Sequence, residues 1–388
     1  MKRTKKKIKR TELTTVIVFL AFTGIMSLLL LVLPKHAGEL SELEFRTLAD
    51  YPFRGKSLDT VASEVVKGEA SKNVDKFLED HYPGRSFFIA LNSYYLRLTG
   101  RNADQAVVQG KNDRLYDAPV KAEGEFLEKN IDKINAFTEA NGLSTVLVAV
   151  PSSAVLAPSE LPLLHLDTHD EEYLSVIRER SSAYVADVAG IFDGGEGLMY
   201  RTDHHWTMSG AYLVYRDIVS HYGAHPVSRD IFSAFSYNFY GSFYRKAGLW
   251  LTKPDMLEVW RCPELDAMTT TVGWGTRAVT HEGVYDESQL AGTDKYAAYL
   301  WSNNDITVIE NPNGNGETVM LVKDSFGNSI APLIALNYSR VVMIDTRYYR
   351  SPDLPMPSEL AAEYGIEKLI VVLGMDSMVS DITIAYLR

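Results

Sequence analysis

Hydrophobic spacing changes character along the chain. Residues 13–33, LTTVIVFLAFTGIMSLLLLVL, hold twenty-one positions without a charge. At about 1.5 Å rise per residue, a helix of that length covers roughly 30 Å, the hydrocarbon thickness of a bilayer. Over 57–80, Val61, Val65, Val66, Phe77 and Leu78 recur at helical intervals. The turn in HYPGRSFFIALNSYYLRLTG then leads into an aromatic-rich helix that stops at Gly100. Stretch 35–115 is therefore expected to be a helical lead-in.

From about 121 the pattern becomes α/β. EFLEKNIDKINAFTEANG is an amphipathic helix with Gly142 as its stop. STVLVAVP is a nearly continuous apolar strand, as in a sheet buried on both faces. EEYLSVIRERSSAYVAD and MSGAYLVYRDIVSHYG follow as helices. Residues 224–317 are richer in Gly, aromatic and β-branched positions and read as a β-rich insertion, or a set of long loops, over the core. Strand and helix then alternate again through TVMLVKDS, SIAPLIALNY, RVVMIDT, SELAAEYG and KLIVVLGMDS. That alternation predicts a parallel sheet flanked by helices over 121–388.

Charge changes the reading of the apolar N-terminal run. Seven of the first ten residues are basic. A cleaved signal peptide has an apolar region of about 7–15 residues and a small-residue cut site. Here the run is longer and ends in Pro34, Lys35 and His36. An uncleaved single-pass anchor over 13–33 is expected, with the basic tail 1–12 cytoplasmic and the remainder outside. Beyond residue 34 the 39 basic and 50 acidic residues of the chain fall to 32 and 49, a net charge of −17. Such acidity excludes a nucleic-acid surface and argues against docking on an anionic polymer by general electrostatics. The single cysteine, Cys262, precludes an intramolecular disulfide and reads as a buried small hydrophobe. Apolar content of 46% is that of a globular protein.

Two segments carry candidate chemistry. TDHHWT, residues 202–207, puts an acid beside two histidines. In an extended or turn segment Asp203 and His205 point the same way and His204 elsewhere. KDSFGNS places Ser325 at the carboxyl end of a strand, where ligands bind in parallel sheets and where helix-start N–H groups can serve an oxyanion. A serine there is also the ordinary N-cap of the following helix. It becomes a nucleophile only if a base takes its proton. His205 oriented by Asp203 supplies that base. A metal on Asp203, His204 and His205 needs a further ligand, for which HLDTHD (165–170) is a loose candidate. Ser377, in GMDS, also ends a strand but lacks the D-S-F context.

These residues resemble the signature of the bacterial DHHW proteins, whose second element is a D-S-[YF] turn, matched here by KDSFGNS. The group is similar to the SGNH-hydrolase-like acetyltransferases of alginate biosynthesis. SELEFR, HYPGR, FYGSFYRKAG and VVMIDTRYY resemble further pieces of that group. The resemblance implies an SGNH-hydrolase-like, flavodoxin-like sheet with a circularly permuted motif order. Ser325 would be the nucleophile, His205 the base and Asp203 its orienting acid. Asn303 or Asn304 in WSNND, with Asn303 preferred, and Asn328 beside the serine are candidates for the oxyanion or substrate.

The implied activity is transfer of an acetyl group to hydroxyls of a cell-envelope or secreted polysaccharide. A membrane-bound O-acyltransferase partner would pass acyl groups outward, and no cofactor is called for. The same triad suits a carbohydrate esterase. A non-catalytic polysaccharide-binding assembly subunit and a metal-dependent hydrolase complete the alternatives.

Overall fold

The computed structural model describes residues 10–388 apart from 42, 45, 102, 105, 106, 120, 122–124, 164 and 166. Residues 1–9 of the expected basic tail lie outside the described residues. The chain divides into two units, 1–99 and 100–388.

In the first unit, α1 (Arg10–Val32) is a helix long and apolar enough to cross a membrane, with none of its residues buried by protein. Three more helices follow: α2 (Leu58–Val66), α3 (Glu69–Asp80) and α4 (Arg85–Leu98). Ser57 caps α2 by accepting the Thr60 amide. The segments SELEFR and HYPGR meet here. Arg46 donates to Glu44 at 2.8 Å and to the buried Asp80, and Arg85 pairs with Glu44. The Arg46 hydrogen bond holds the Asp80 carboxyl below its usual range.

The second unit opens with β structure. Strands β1 (Ala103–Asp104), β2 (Val107–Gln109) and β3 (Leu115–Asp117) form a small antiparallel sheet. The helical part of the lead-in thus ends at Leu98, before the expected 115. Strands of two or three residues are too short to display a period of two. Next come α5 (Phe126–Ala140), β4 (Ser144–Val150), α6 (Ser153–Leu156), α7 (Asp170–Arg180), β5 (Tyr184–Val185), α8 (Val188–Phe192) and α9 (Met208–His221). A hairpin of β6 (Ser233–Phe239) and β7 (Asp255–Arg261) encloses α10 (Ser242–Ala247). Helix α11 (Pro263–Asp266) leads to β8 (Thr269–Val272), β9 (Val279–Glu282) and β10 (Ile306–Glu310). The chain finishes β11 (Thr318–Lys323), α12 (Gly327–Ala335), β12 (Arg340–Ile344), α13 (Pro357–Glu363), β13 (Lys368–Gly374) and α14 (Met375–Ser380).

The main sheet runs β5-β4-β13-β11-β12-β10-β8-β9. Its first five strands are mutually parallel, and β10, β8 and β9 continue it antiparallel from the β12 edge. The sheet is therefore mixed, where the strand–helix alternation predicts a parallel one. The three antiparallel strands come from within 224–317. β8 and β9 are four-residue strands with largely exposed or half-exposed side chains, so they lack the apolar runs that mark the parallel ones.

Burial on both faces explains those runs. Val146, Val148, Val319, Leu321, Val341, Met343, Ile370 and Val372 pack on one side against α9 and α12. The alternating neighbours Leu147, Ala149, Met320, Val322, Val342, Ile344, Leu369 and Val371 pack on the other against α5, α7, α13 and α14. With both faces covered, each strand must be apolar at every position. The carboxyl ends of β4, β11, β12 and β13 share one edge, as Lys323 registers with Val372 and Gly374 with Val150.

Candidate active site

Asp255, which opens β7, holds the turn from Thr202 to Thr207 from behind. The Thr202 amide and hydroxyl donate to Asp255 Oδ2 at 2.7 and 2.6 Å, and the Arg201 amide reaches both carboxylate oxygens at 3.1 Å. At the far end, Thr207 caps α9 by accepting the Gly210 amide at 3.3 Å. Gly241 passes so close that a Cβ there would stand 2.3 Å from Asp203 Cβ.

This framework aims a chain of hydrogen bonds. The His205 ring bonds Asp203 Oδ1 through Nδ1 at 2.6 Å, and its Nε2 faces Ser325 Oγ at 2.8 Å. Because the carboxylate can only accept, it selects the Nδ1–H tautomer and leaves Nε2 as the acceptor for the serine hydroxyl. Asp203 Oδ1 also accepts the His205 amide at 3.0 Å, and Oδ2 accepts the Ser242 amide at 2.7 Å. Burial alone would raise the Asp203 pKa. The His204 and His205 rings and the Ser242 amide outweigh it and hold the carboxyl well below its ordinary value. The sequence thus brings Asp203, His205 and Ser325 into one continuous contact.

His205 is confined on three sides. Tyr296 stacks on one face at 4.1 Å and 13°, His204 lies against the other at 3.8 Å, and Phe326 presents its edge at 4.9 Å. His204 was expected to point away from its neighbour. It packs against it instead, because the segment is a turn and strand alternation does not apply. Its Nδ1 bonds Ser242 Oγ at 3.0 Å, outside the Asp203–His205–Ser325 chain. Burial and the adjacent His205 push its pKa down, so it stays neutral at pH 7.

Ser325 lies between β11 and α12. Asp324 shapes that turn: Oδ1 accepts the Phe326 amide at 2.9 Å, and Oδ2 accepts the Gly374 amide and the Ser377 hydroxyl, each at 2.7 Å. Ser377 is therefore a support for the Ser325 turn. Tyr296 Oη donates to the Ser325 carbonyl at 3.0 Å, and Trp206 Nε1 donates to Ser329 Oγ at 2.9 Å, tying the two segments together. The Ser325 amide N–H donates to none of the described residues.

Asn303 and Asn328 lie in one network with Lys323. Asn328 Nδ2 donates to Asn303 Oδ1 at 3.0 Å, and Lys323 Nζ donates to Asn328 Oδ1 at 2.6 Å. The alternative, Asn304, turns its Nδ2 to the Trp301 carbonyl at 3.2 Å. Tyr296, Ser242 and Gly241 escaped sequence reasoning. Gly241 and Ser242 lie in the quoted FYGSFYRKAG, but nothing there assigned them to the site; Tyr296 carries no local signal, whereas Lys323 and Asp324 lay within the quoted KDSFGNS.

Among the described residues, Asp203, His204 and His205 form the one group of ligating side chains close enough to share a metal ion. Both Asp203 oxygens, both His205 nitrogens and His204 Nδ1 already hold protein partners. In HLDTHD, residue 166 lies outside the described residues, His165 Nδ1 bonds the Pro162 carbonyl, and Asp170 accepts the Ser152 amide. That segment brings no ligand to the group.

The helix-covered sheet thus sets Ser325 beyond a parallel strand with the Asp203–His205 turn facing it. Residues 173–344 match the DHHW protein family, and residues 107–234 match the SGNH hydrolase-like domain, acetyltransferase AlgX. The family resemblance carried by TDHHWT and KDSFGNS is thereby borne out. In fold, the chain is similar to a DHHW family protein from Eubacterium siraeum, at 18% identity and TM-score 0.59, over 72% of this chain and 97% of that one. It is equally similar to Bacillus cereus PatB1, solved with a sulfonyl adduct, at 18% identity and TM-score 0.60, over 73% and 98%. No curated protein matches significantly in sequence.

Proposed function

We propose that this chain is a membrane-anchored, extracytoplasmic O-acetyltransferase that modifies a cell-envelope or secreted polysaccharide through an acyl-enzyme on Ser325. One observation carries the reading: Asp203, His205 and Ser325 contact in series at 2.6 and 2.8 Å. The Ser325 Oγ attacks the acyl carbonyl while His205 Nε2 takes its proton. The imidazolium, stabilised by Asp203, returns that proton to the departing donor group. A sugar hydroxyl then gives its proton to Nε2 and attacks the ester carbon; the imidazolium passes that proton to the departing Ser325 Oγ, restoring the free serine and neutral histidine. The free Ser325 N–H and the α12 N-terminus suit the transient oxyanion.

The name of the matching acetyltransferase domain favours transfer over hydrolysis. Helix α1 supports an anchor that keeps residues 1–12 inside and the catalytic domain outside, where a membrane-bound O-acyltransferase would supply acyl groups. Counted from β11, the parallel strands run 2-1-3-4-5 across the sheet, the flavodoxin-like order. In the chain the fourth and fifth of these strands, β4 and β5, precede the first, β11, so the motif order reads as a circular permutation with 224–317 as an insertion.

Incubating the full chain in vesicles with an acetyl donor and oligosaccharides tests the reading. Ester-linked acetyl on the sugar, absent for Ser325→Ala, supports transfer. Release of acetate from preacetylated sugar without any transfer would make the protein an esterase.

A further inference from the structure

Lys323 is a buried charge that the proposed chemistry leaves unused. Only 2% of the residue is exposed, two positions before Ser325 on β11. Among the described residues its Nζ has three hydrogen-bond partners, and all are acceptors: Asn328 Oδ1 at 2.6 Å, Asp345 Oδ2 at 3.3 Å and Asn303 Oδ1 at 3.4 Å. An ammonium has three N–H bonds and no lone pair, so this surrounding suits the protonated form alone. Burial pulls its pKa below the ordinary lysine value, and Asp345 offsets only part of that.

The donor-only ammonium has a geometric consequence. Both amides must turn their oxygens towards Nζ. Asn328 Nδ2 then meets Asn303 Oδ1 at 3.0 Å, which fills the two acceptor positions of that oxygen. The Asn303 NH2 group is thereby forced to the opposite side, where it donates to none of the described residues. Remove the ammonium, and nothing distinguishes the pair from its concerted flip, in which Asn303 Nδ2 donates to Asn328 Oδ1.

Two independent features serve the same arrangement. Leu300, Trp301 and Ser302, immediately before Asn303, all lie in the left-handed region with φ of 55°, 54° and 74°. Three consecutive non-glycine residues there cost about 1 kcal/mol or more each, and such strain clusters where a side chain must be delivered to one place. Trp301 is also stacked on His281 at 4.3 Å and 14°, which braces the turn. On the other side, a Cβ on Gly327 would lie 2.5 Å from Lys323 Cβ and 2.9 Å from its Cγ and Cδ. Glycine in KDSFG thus leaves the passage by which Lys323 runs beneath α12.

We propose that Lys323 is a positioning residue of the Ser325 site, acting through Asn303: the buried ammonium sets the orientation of the two amides and presents the Asn303 NH2 as a donor to the reacting acyl oxygen. This rests on Ser325 being the nucleophile.

Pre-steady-state acylation of the full chain by p-nitrophenyl acetate tests it, with the burst amplitude counting competent sites and the burst rate reporting the chemistry. Asp345 keeps Arg347, at 2.7 Å, when Lys323 is replaced, so Lys323→Met retains a paired carboxylate. Lys323→Met and Asn303→Ala should each keep the wild-type amplitude and slow the burst by about a hundredfold to a thousandfold, the scale of one lost oxyanion donor. The double variant should be no slower than Asn303→Ala alone. A Lys323→Met rate within twofold of wild type, or single-variant losses that multiply in the double variant, overturns the proposal. If Lys323→Met lowers amplitude, the rate per remaining competent site is compared and decides in the same way. A wild-type chain without a burst, unaffected by Ser325→Ala, would instead defeat the nucleophile assignment.

Discussion

Replacing Gly241 with alanine perturbs the site without removing any group that takes part in the proposed chemistry. Gly241 has φ of −80°, so alanine is conformationally permitted and the effect is one of space alone. The new Cβ would lie 2.3 Å from Asp203 Cβ, 2.5 Å from the Thr202 carbonyl oxygen and 2.6 Å from Asp203 Oδ2. Ordinary contact begins at 3.4 Å, so Asp203 or the Gly241 backbone must retreat by roughly 1 Å, a displacement that can cost about a hundredfold in rate. If Asp203 moves, its 2.6 Å bond to His205 Nδ1 stretches beyond hydrogen-bond range. Overpacking of this kind costs about 1–3 kcal/mol of stability, which a domain of this size survives. The expected outcome is a folded protein with a melting temperature lowered by a few degrees and an acylation burst slowed about a hundredfold. A Gly241→Ala protein that acylates within twofold of wild type would refute the claim that Asp203 must stand where it does.

Other perturbations separate orientation from packing and charge. Asp203→Asn should keep the fold and slow acylation by about 10³- to 10⁴-fold, because the amide no longer selects the Nδ1–H tautomer; a burst assay beside circular dichroism checks both halves. Trp206→Phe removes the Nε1 bond to Ser329 Oγ at 2.9 Å, and chemical denaturation should show a loss of about 1–2 kcal/mol. Asp117 has its pKa raised to about 7, first by burial and then by Asp376. The folded state therefore binds its proton more tightly than the unfolded one, and stability falls as pH rises from about 4 to 7. Asp117→Asn should leave stability at pH 4 unchanged and raise it at pH 8 by about 1–2 kcal/mol, allowing for partial exposure; equal effects at both pH values would contradict this origin.

The readable parts of the molecule are those whose cause is local. A strand covered on both faces must be apolar throughout, so β4, β11, β12 and β13 stand out as runs. Helix α1 is equally plain, since twenty-one uncharged positions leave little choice. Asp203 and His205 are legible because adjacent histidines beside an acid occur once in the chain, and Ser325 because it follows an apolar strand in the D-S-F context. Contacts made at a distance are not. Tyr296 reaches the His205 ring from a loop between β9 and β10, and Ser242 supplies a backbone amide, a group that every residue has. The β-rich character of 224–317 was legible, but the joining of β10, β8 and β9 to the main sheet was not, because β8 and β9 are short and lack apolar runs. His204 was misplaced for a related reason: two-residue alternation describes strands, and TDHHWT is a turn.

The central claim is that Ser325 carries the acyl group. Incubating the full chain with an acetyl donor, quenching in acid and mapping peptides by mass spectrometry tests this most directly. A single acetyl group on the peptide containing Ser325, lost in Asp203→Asn at short times and absent in Ser325→Ala, is the predicted result. Acetyl transfer that proceeds at the wild-type rate in Ser325→Ala, with no modified peptide, would contradict it.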